Sequence, residues 1–506
     1  MIGKKTWRVL PATFPTNMSF IRKKILLAII CLSSISIYAQ TDLRNIEFSG
    51  KVIDNKGVAI QGVAVTDGYN IVTTNHKGEY KLLSNATAEF VYISIPAGYV
   101  IQMKDDAPCY FQRITNKSKS KQKFNFTLEK SGQNDNRHIL IACADPQVAF
   151  DEEMPMLEEA VRDIKLLVNQ HYKNIPVHGI ICGDIIAEIS REPKFFDPVK
   201  HLFAETNIPF FYAAGNHDMD VNGRSNHNSK KTFKKTFGPA YYSFNRGKVH
   251  YIVLDDVFFT AKGYSSIGYI DENQLCWLEQ DLSLLSEGST VVVAFHIPTY
   301  SPEARKGEFA KEEVNRVLQN RSVLYKMLKP YNALILSGHE HYNENYQLSN
   351  NLFEHVQAAL CGIFWQAPYN SDGTPLGYTV YEFDENDVKW YYKSTWKDRN
   401  YQFDSYLSGA DKHRPNHIIA NVWNYDPQWK VYWYENGTKM GEMKQYRGWS
   451  PNIVDYVEKN RENFRYKNIG AGPTEHLFYA EPVDKNAEIK IEVIDRFNNI
   501  YSDSPK

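Results

Sequence analysis

The sequence predicts an α/β domain bracketed by two all-β regions. Three observations lead there. Between residues 135 and 393, short apolar runs alternate with segments of helical period, as strands and helices of a layered α/β unit do. Residues 43–131 alternate apolar and polar with period two and break at turn residues, the pattern of half-buried strands. Residues 395–506 return to that β pattern after the helical periodicity stops.

In the first region, Phe48 to Val65 alternates and turns at Asn55-Lys56-Gly57, and Tyr80–Leu83 and Phe90–Ile95 continue as strands. Asn116 to Lys123 is a basic, polar stretch suited to a solvated loop. In the central region, Ile139 to Ala144 reads as a buried strand. It is followed by a helix with Leu157, Ala160, Val161, Ile164, Leu167 and Val168 on one face. Val177–Cys182 and Phe210–Ala214 are the next strands. Tyr241–Phe244 and Val249–Leu254 flank Asn245-Arg246-Gly247, a hairpin signal. Asp271 is placed to cap a helix that carries Leu275, Leu278, Leu282 and Leu285. Val291–Phe295 and Ala333–Ser337 complete the strand series. In the last region Ile418–Trp423, Lys430–Tyr434 and Ile489–Ile494 are strands, with a turn at Glu435-Asn436-Gly437.

Composition narrows the function. Lys and Arg number 58 against 59 Asp and Glu, and this near-neutral balance gives no electrostatic case for a nucleic-acid partner. Residues 1–39 read as an export signal: Met18 to Lys24 is a basic start, Ile25 to Ile37 is apolar, and Ala39 offers a small residue for cleavage. Met18 is the better start by this reading, and the expected location of the mature chain is periplasmic or extracellular. The apolar run is too short for a good membrane span. Five cysteines follow it, an odd number with no Cys-x-x-Cys spacing. Cys143 and Cys182 are therefore expected as buried free thiols.

The chemistry concentrates at strand ends. Asp145-Pro146-Gln147 follows the first central strand, Gly183-Asp184 the second and Gly215-Asn216-His217-Asp218 the third. His296-Ile297-Pro298 and Gly338-His339-Glu340-His341 follow two later strands. Open α/β sheets place their sites outside the carboxyl ends of strands, so five loops can converge on one point. Each motif alone is weak; the ordered set, every member directly after an apolar run, is specific.

That set resembles the signature of calcineurin-like metallophosphoesterases. Gly238 to Phe244 leading to Leu254-Asp255 resembles the same family. Asp372 to Tyr378 resembles the branch that carries extra N- and C-terminal β domains. Residues 43–131 resemble the transthyretin-like, carboxypeptidase-regulatory β-sandwich. The resemblance implies a layered β-sandwich flanked by helices and a hydrolase with two divalent ions, Mn, Fe or Zn. It implies that one ion takes Asp145, Asp184, His341 and Gln147, and the other Asp184, Asn216, His296 and His339. Asp184 is then the bridge, His217 the acid for the leaving oxygen, and Asp218 the group that holds the His217 ring. Two departures stand out. Gln147 occupies a position where the family usually has His, and Ala187 occupies the place of the tyrosine of purple acid phosphatases, so no coloured iron–tyrosinate centre is expected. Glu188 is a candidate support for the ligands or a helix cap.

Arg224, Asn226 and His227, just past the third motif, are candidate substrate contacts, and Trp365 a candidate wall of the site. The first β region lacks catalytic residue types and is expected to serve location or substrate access, and the β regions to contact other envelope components. The competing readings are a non-catalytic envelope binding or adhesion protein and a nuclease.

Overall fold

The computed structural model describes residues 46–84, 87–187, 193–262, 265–301, 313–362, 366–467 and 470–505. The export-signal reading of residues 1–39, Glu188 and Trp365 lie outside them.

Two mixed sheets face each other at the centre. The first runs in the order Phe210–Tyr212, Val177–Ile181, Arg137–Cys143, Gly377–Asp384, Asp387–Ser394. Its first three strands are parallel, and the last two add antiparallel. The second runs in the order Tyr242–Arg246, Val249–Val253, Thr290–Ala294, Asn332–Ser337, Leu352–Val356, Glu344–Ser349. Both faces of the inner strands are buried, which is why they read as continuous apolar runs. Along the strand Arg137–Cys143, Leu140 and Ala142 enter the core between the sheets, whereas Ile139, Ile141 and Cys143 meet the outer helices. Val292 and Ala294 face inward in the same way, with Val291 and Val293 outward. Helices Met154–His171 and Phe196–Ala204 cover the outside of the first sheet. Helices Glu272–Leu282 and Arg321–Leu328 cover the second. Asp271 caps its helix, its side chain accepting from the Gln274 amide. The result is the layered, helix-flanked sandwich expected from the sequence. The five described cysteines are free, with Cys143, Cys182 and Cys361 buried.

Residues 46–128 supply two four-stranded sheets. One centres on Ile46–Asp54, and the other has the order Ile71–Thr73, Ala64–Thr66, Phe90–Ile93, Phe111–Arg113. Their apolar side chains are continuous with the core between the central sheets. Tyr110 packs on Tyr242 with ring centroids 4.8 Å apart, and Ile95 pairs with Phe244 as a bridge. The Gln280 side chain donates to the Tyr69 carbonyl (2.9 Å) and accepts from the Ile71 amide (3.0 Å). At the other end, residues 404–503 form two four-stranded sheets around Trp429, Trp433, Ile491 and Val493, with helix Pro451–Asn460 alongside. This unit docks through Arg496, whose guanidinium lies 4.9 Å from the ring centroids of both Phe353 and Trp390. Among the described residues, no helix is long and apolar enough to cross a membrane.

A continuous core has a measurable consequence. A chain beginning at Asp135 exposes Phe244, Tyr242 and their neighbours. Each large apolar side chain so exposed costs about 1.5–3 kcal/mol. At about 2–4 °C per kcal/mol, thermal unfolding of the shortened chain is expected at least about 10 °C below that of the full chain. Coincident melting curves would show that the N-terminal sheets contribute nothing to the central core.

Candidate metal centre

The five motifs converge. Asp184 Oδ2 lies 3.0 Å from Gln147 Nε2 and 3.3 Å from His296 Nε2. His296 Nε2 in turn lies 2.9 Å from Asn216 Oδ1 and 3.1 Å from His339 Nδ1. His341 Nε2 stands 3.2 Å from Asp145 Oδ1. Two side chains that bind one ion at about 2.0–2.2 Å stand roughly 3 Å apart, which is the spacing seen throughout.

The backbone reaches this arrangement by unusual means. Asp145, Gln147, Asp184, His339 and His341 all have φ between +48° and +73°. Such conformations cost a non-glycine residue of order 1–3 kcal/mol each and persist where the surroundings over-determine them. The chain leaves each strand and turns at once, throwing the side chain back over the sheet edge. Two glycines permit the crowding. A Cβ on Gly215 would lie 2.1 Å from both the Asp184 amide nitrogen and its Oδ1, and one on Gly183 would lie 2.6 Å from His296 Nδ1.

Buried carboxylates then hold the loops. Asp218 accepts from the amides of Gly215 (2.8 Å), Ile185 and Ile186 (both 3.2 Å). Asp256 accepts from the His296 amide (3.1 Å) and the Ile297 amide (2.9 Å). Glu354 accepts from the Thr299 amide (2.7 Å) and from Ser337 Oγ (3.0 Å). Asp145 Oδ2 accepts from the His339 amide (3.0 Å), and Asp184 Oδ1 from the His217 amide (2.8 Å).

The donor set fits cations. Gln147 Oε1 is a buried acceptor with no hydrogen-bond donor, and Asp145 Oδ1, also buried, has only the 3.2 Å ion-pair contact with His341 Nε2. Asp184, His296 and His339 lie close enough for one ion to touch all three. Burial alone would raise the Asp184 carboxyl, but the His296 and His217 rings hold it well below the usual carboxylate range. Burial lowers His296, and the Asp184 carboxylate outweighs that and lifts it to about 10. Burial and the neighbouring His296 hold His339 well below its ordinary value. The Asp184 carboxylate thus favours positive charge beside it, at His296, and leaves His339 neutral and free to donate its ring nitrogen. Mixed oxygen and imidazole donors suit Mn, Fe or Zn.

One expectation is overturned. Asp218 does not hold the His217 ring, because its carboxylate is taken up by the three backbone amides of the Asp184 and Gly215 turns. His217 Nδ1 is buried with no hydrogen-bond partner, and its Nε2 lies 3.9 Å from Asp184 Oδ2. Arg224, Asn226 and His227 stand away from the ligand contacts. Arg224 is exposed ahead of the short helix Asn226–Ser229. Asn226 Oδ1 accepts from the Phe259 amide (2.9 Å), and His227 Nε2 lies 3.7 Å from Glu89 of the N-terminal sheets. Asn226 and His227 line a cavity of about 570 Å³ with Tyr69, Glu89 and Tyr241. Sequence reasoning missed Asp256 and Glu354 as supports. The adjacent acids Asp255 and Asp256 at the end of an apolar strand were an available signal.

Asp218→Asn is therefore expected to lower the unfolding temperature and weaken metal retention, since a buried acceptor for three amides is altered. Removing one such partner costs about 1–3 kcal/mol. Gly215→Ala is expected to be worse on both counts. Elemental analysis after gel filtration, with a melting curve, checks both; wild-type values for either variant would contradict the geometry.

Three family models match the chain in order. "N terminal of Calcineurin-like phosphoesterase" matches residues 46–131, "Calcineurin-like phosphoesterase" residues 140–343, and "C terminal of Calcineurin-like phosphoesterase" residues 354–501. Among curated relatives, purple acid phosphatase 13 of Arabidopsis thaliana is 28% identical over 175 residues, covering 32% of this chain and 28% of the relative. Human serine/threonine-protein phosphatase CPPED1 is 23% identical over 201 residues, covering 38% and 61%. An uncharacterised protein of Schizosaccharomyces pombe is 26% identical over 192 residues, covering 32% and 45%. The matches span less than two thirds of each of these relatives. A solved dimetal phosphatase from Danio rerio aligns with a TM-score of 0.38 at 14% identity, covering 52% of this chain and 97% of that one. With the five candidate-ligand motifs gathered in one centre and three successive family models between residues 46 and 501, the chain belongs to the calcineurin-like phosphoesterase family, together with that family's N- and C-terminal domains.

Proposed function

We propose that this chain hydrolyses phosphoesters, monoesters or diesters, at a centre that holds two divalent cations. The observation that carries the reading is the Asp184 carboxylate, within reach of both Gln147 and His296 and so common to the two ligand subsets. Two such ions, when bound, would supply charge neutralisation at phosphorus and an activated water. Asp145, Gln147, Asp184 and His341 would hold one, and Asp184, Asn216, His296 and His339 the other. The chain does the rest. His217, with 29% of its side chain exposed, stands at the edge of the cluster, where its ring can give a proton to the leaving oxygen. The peptide amide of His217 donates to Asp184, which holds the acid beside the bridging carboxylate.

The phosphatase names of the human and Arabidopsis relatives support this reaction class. Ala187, where a purple phosphatase carries tyrosine, supports a colourless centre. A non-catalytic binding role is disfavoured by a complete ligand set, and a nuclease by a net charge of −1. The basic start and apolar run of residues 18–37 support an exported enzyme working in the periplasm or outside the cell.

Asp184→Asn is expected to lose more metal than any other single ligand change, whereas His339→Ala should deplete mainly one equivalent. Two equivalents retained by Asp184→Asn, measured by elemental analysis, would remove it as the bridge. His217→Ala is expected to keep its metal and slow alkyl phosphate esters by about 10²–10⁴-fold, the usual worth of a positioned acid. It should slow p-nitrophenyl esters far less, because that phenolate leaves without a proton. Equal losses in kcat/KM for both leaving groups would reassign His217 to phosphate positioning.

A further inference from the structure

The loop that carries His339 and His341 is held from outside the catalytic sheets. Past His341, the Asn343 amide donates to Asp372 Oδ2 (2.9 Å), and the Asn343 side chain donates to the Trp423 carbonyl (2.7 Å). Ser371, beside Asp372, donates to the His341 carbonyl from its Oγ (3.3 Å). Asp372 is itself gripped by the C-terminal unit. His476, on the strand Thr474–Ala480, places Nε2 3.0 Å from Asp372 Oδ2. Its Nδ1 lies 2.6 Å from Asn421 Oδ1, on the strand Ile418–Asn421. Asn421 completes the ring by donating from Nδ2 to the Asp372 carbonyl (3.1 Å). Asn343, Asp372, Asn421 and His476 are all buried, at 1%, 2%, 0% and 4% exposure.

We infer that His476 and Asn421 of the C-terminal domain are positioning residues for the metal centre, acting through Asp372 on the loop that presents His341. The physical case has two parts. His339 and His341 sit at φ +73° and +53°, conformations that need an external hold. The hold is a closed, buried hydrogen-bond network, which is rigid because leaving any member unpaired in the interior is costly. The C-terminal domain is thereby part of the site's construction while contributing none of the proposed ligands. The pull falls on His341, whose carbonyl accepts from Ser371 and whose chain is held two residues on, at the Asn343 amide. His339 is tied separately, to Asp145, through its own amide. Loss of the clamp therefore loosens the Asp145–Gln147–His341 half before the Asn216–His296–His339 half.

The inference rests on the two-cation reading, and the test separates the two. Mn²⁺ binding to the full chain is followed by calorimetry, with melting curves to confirm folding. His476→Ala is expected to leave one Mn²⁺ equivalent at wild-type affinity and weaken the other by about 10–100-fold, the range for partners that orient metal ligands. His476→Gln, which keeps a donor for Asp372, should recover part of the loss. Arg496→Ala loosens the same domain contact elsewhere, at Phe353 and Trp390, and should leave both equivalents as in wild type. Two wild-type equivalents in His476→Ala, or equal losses in His476→Ala and Arg496→Ala, would overturn the clamp. The wild-type chain serves as the arm for the centre itself: if it binds fewer than two Mn²⁺ equivalents, the two-cation reading falls, not merely the clamp.

Discussion

The Asp184 carboxylate is the contact on which the rest of the molecule depends. It is buried, meets both halves of the ligand set, and sits on a residue at φ +51°. None of these conditions is favourable by itself. Burial penalises the charge, and the left-handed backbone penalises the turn. The centre exists because neighbouring groups offset both costs, and much of the surrounding architecture can be read as the means of doing so.

Those means repeat. A candidate ligand leaves the end of a buried strand, and a buried carboxylate from another element accepts the free amides of its turn. Asp218 does this for the Asp184 turn, Asp256 for the His296 turn and Asp372 for the segment after His341. The strands themselves are fixed by two-sided apolar packing, so their ends are well-defined points in space. Rigid strands and braced turns together give candidate ligands that would need little reorganisation to take a cation. That is the condition under which a metal centre is both tight and selective.

How much of this was legible in the sequence follows from the range of each interaction. The strands of the central sheets were legible because burial on both faces leaves continuous apolar runs, and the ligands because each stands directly after one. The fold class and the grouping of the motifs at the strand ends were therefore within reach. The braces were not. Asp256 and His296 are 40 residues apart, Glu354 and Thr299 are 55, and His476 and Asp372 are 104. No local periodicity records such pairs. Asp218 misled for a different reason. The family resemblance places its carboxylate on the His217 ring, but the two neighbours point different ways, and the carboxylate accepts backbone amides instead. The joining of Gly377–Asp384 and Asp387–Ser394 to the first sheet was equally hidden, since antiparallel pairing with Arg137–Cys143 spans the whole catalytic region.

The central claim is that one carboxylate joins two cation sites built from five strand ends. Anomalous diffraction from crystals of the full chain grown with Mn²⁺ tests it most directly. The account predicts two anomalous peaks about 3.5–4 Å apart, with Asp184 touching both, His341 and Asp145 at one, and His296 and Asn216 at the other. A single peak, or two peaks of which only one is in contact with Asp184, would contradict it.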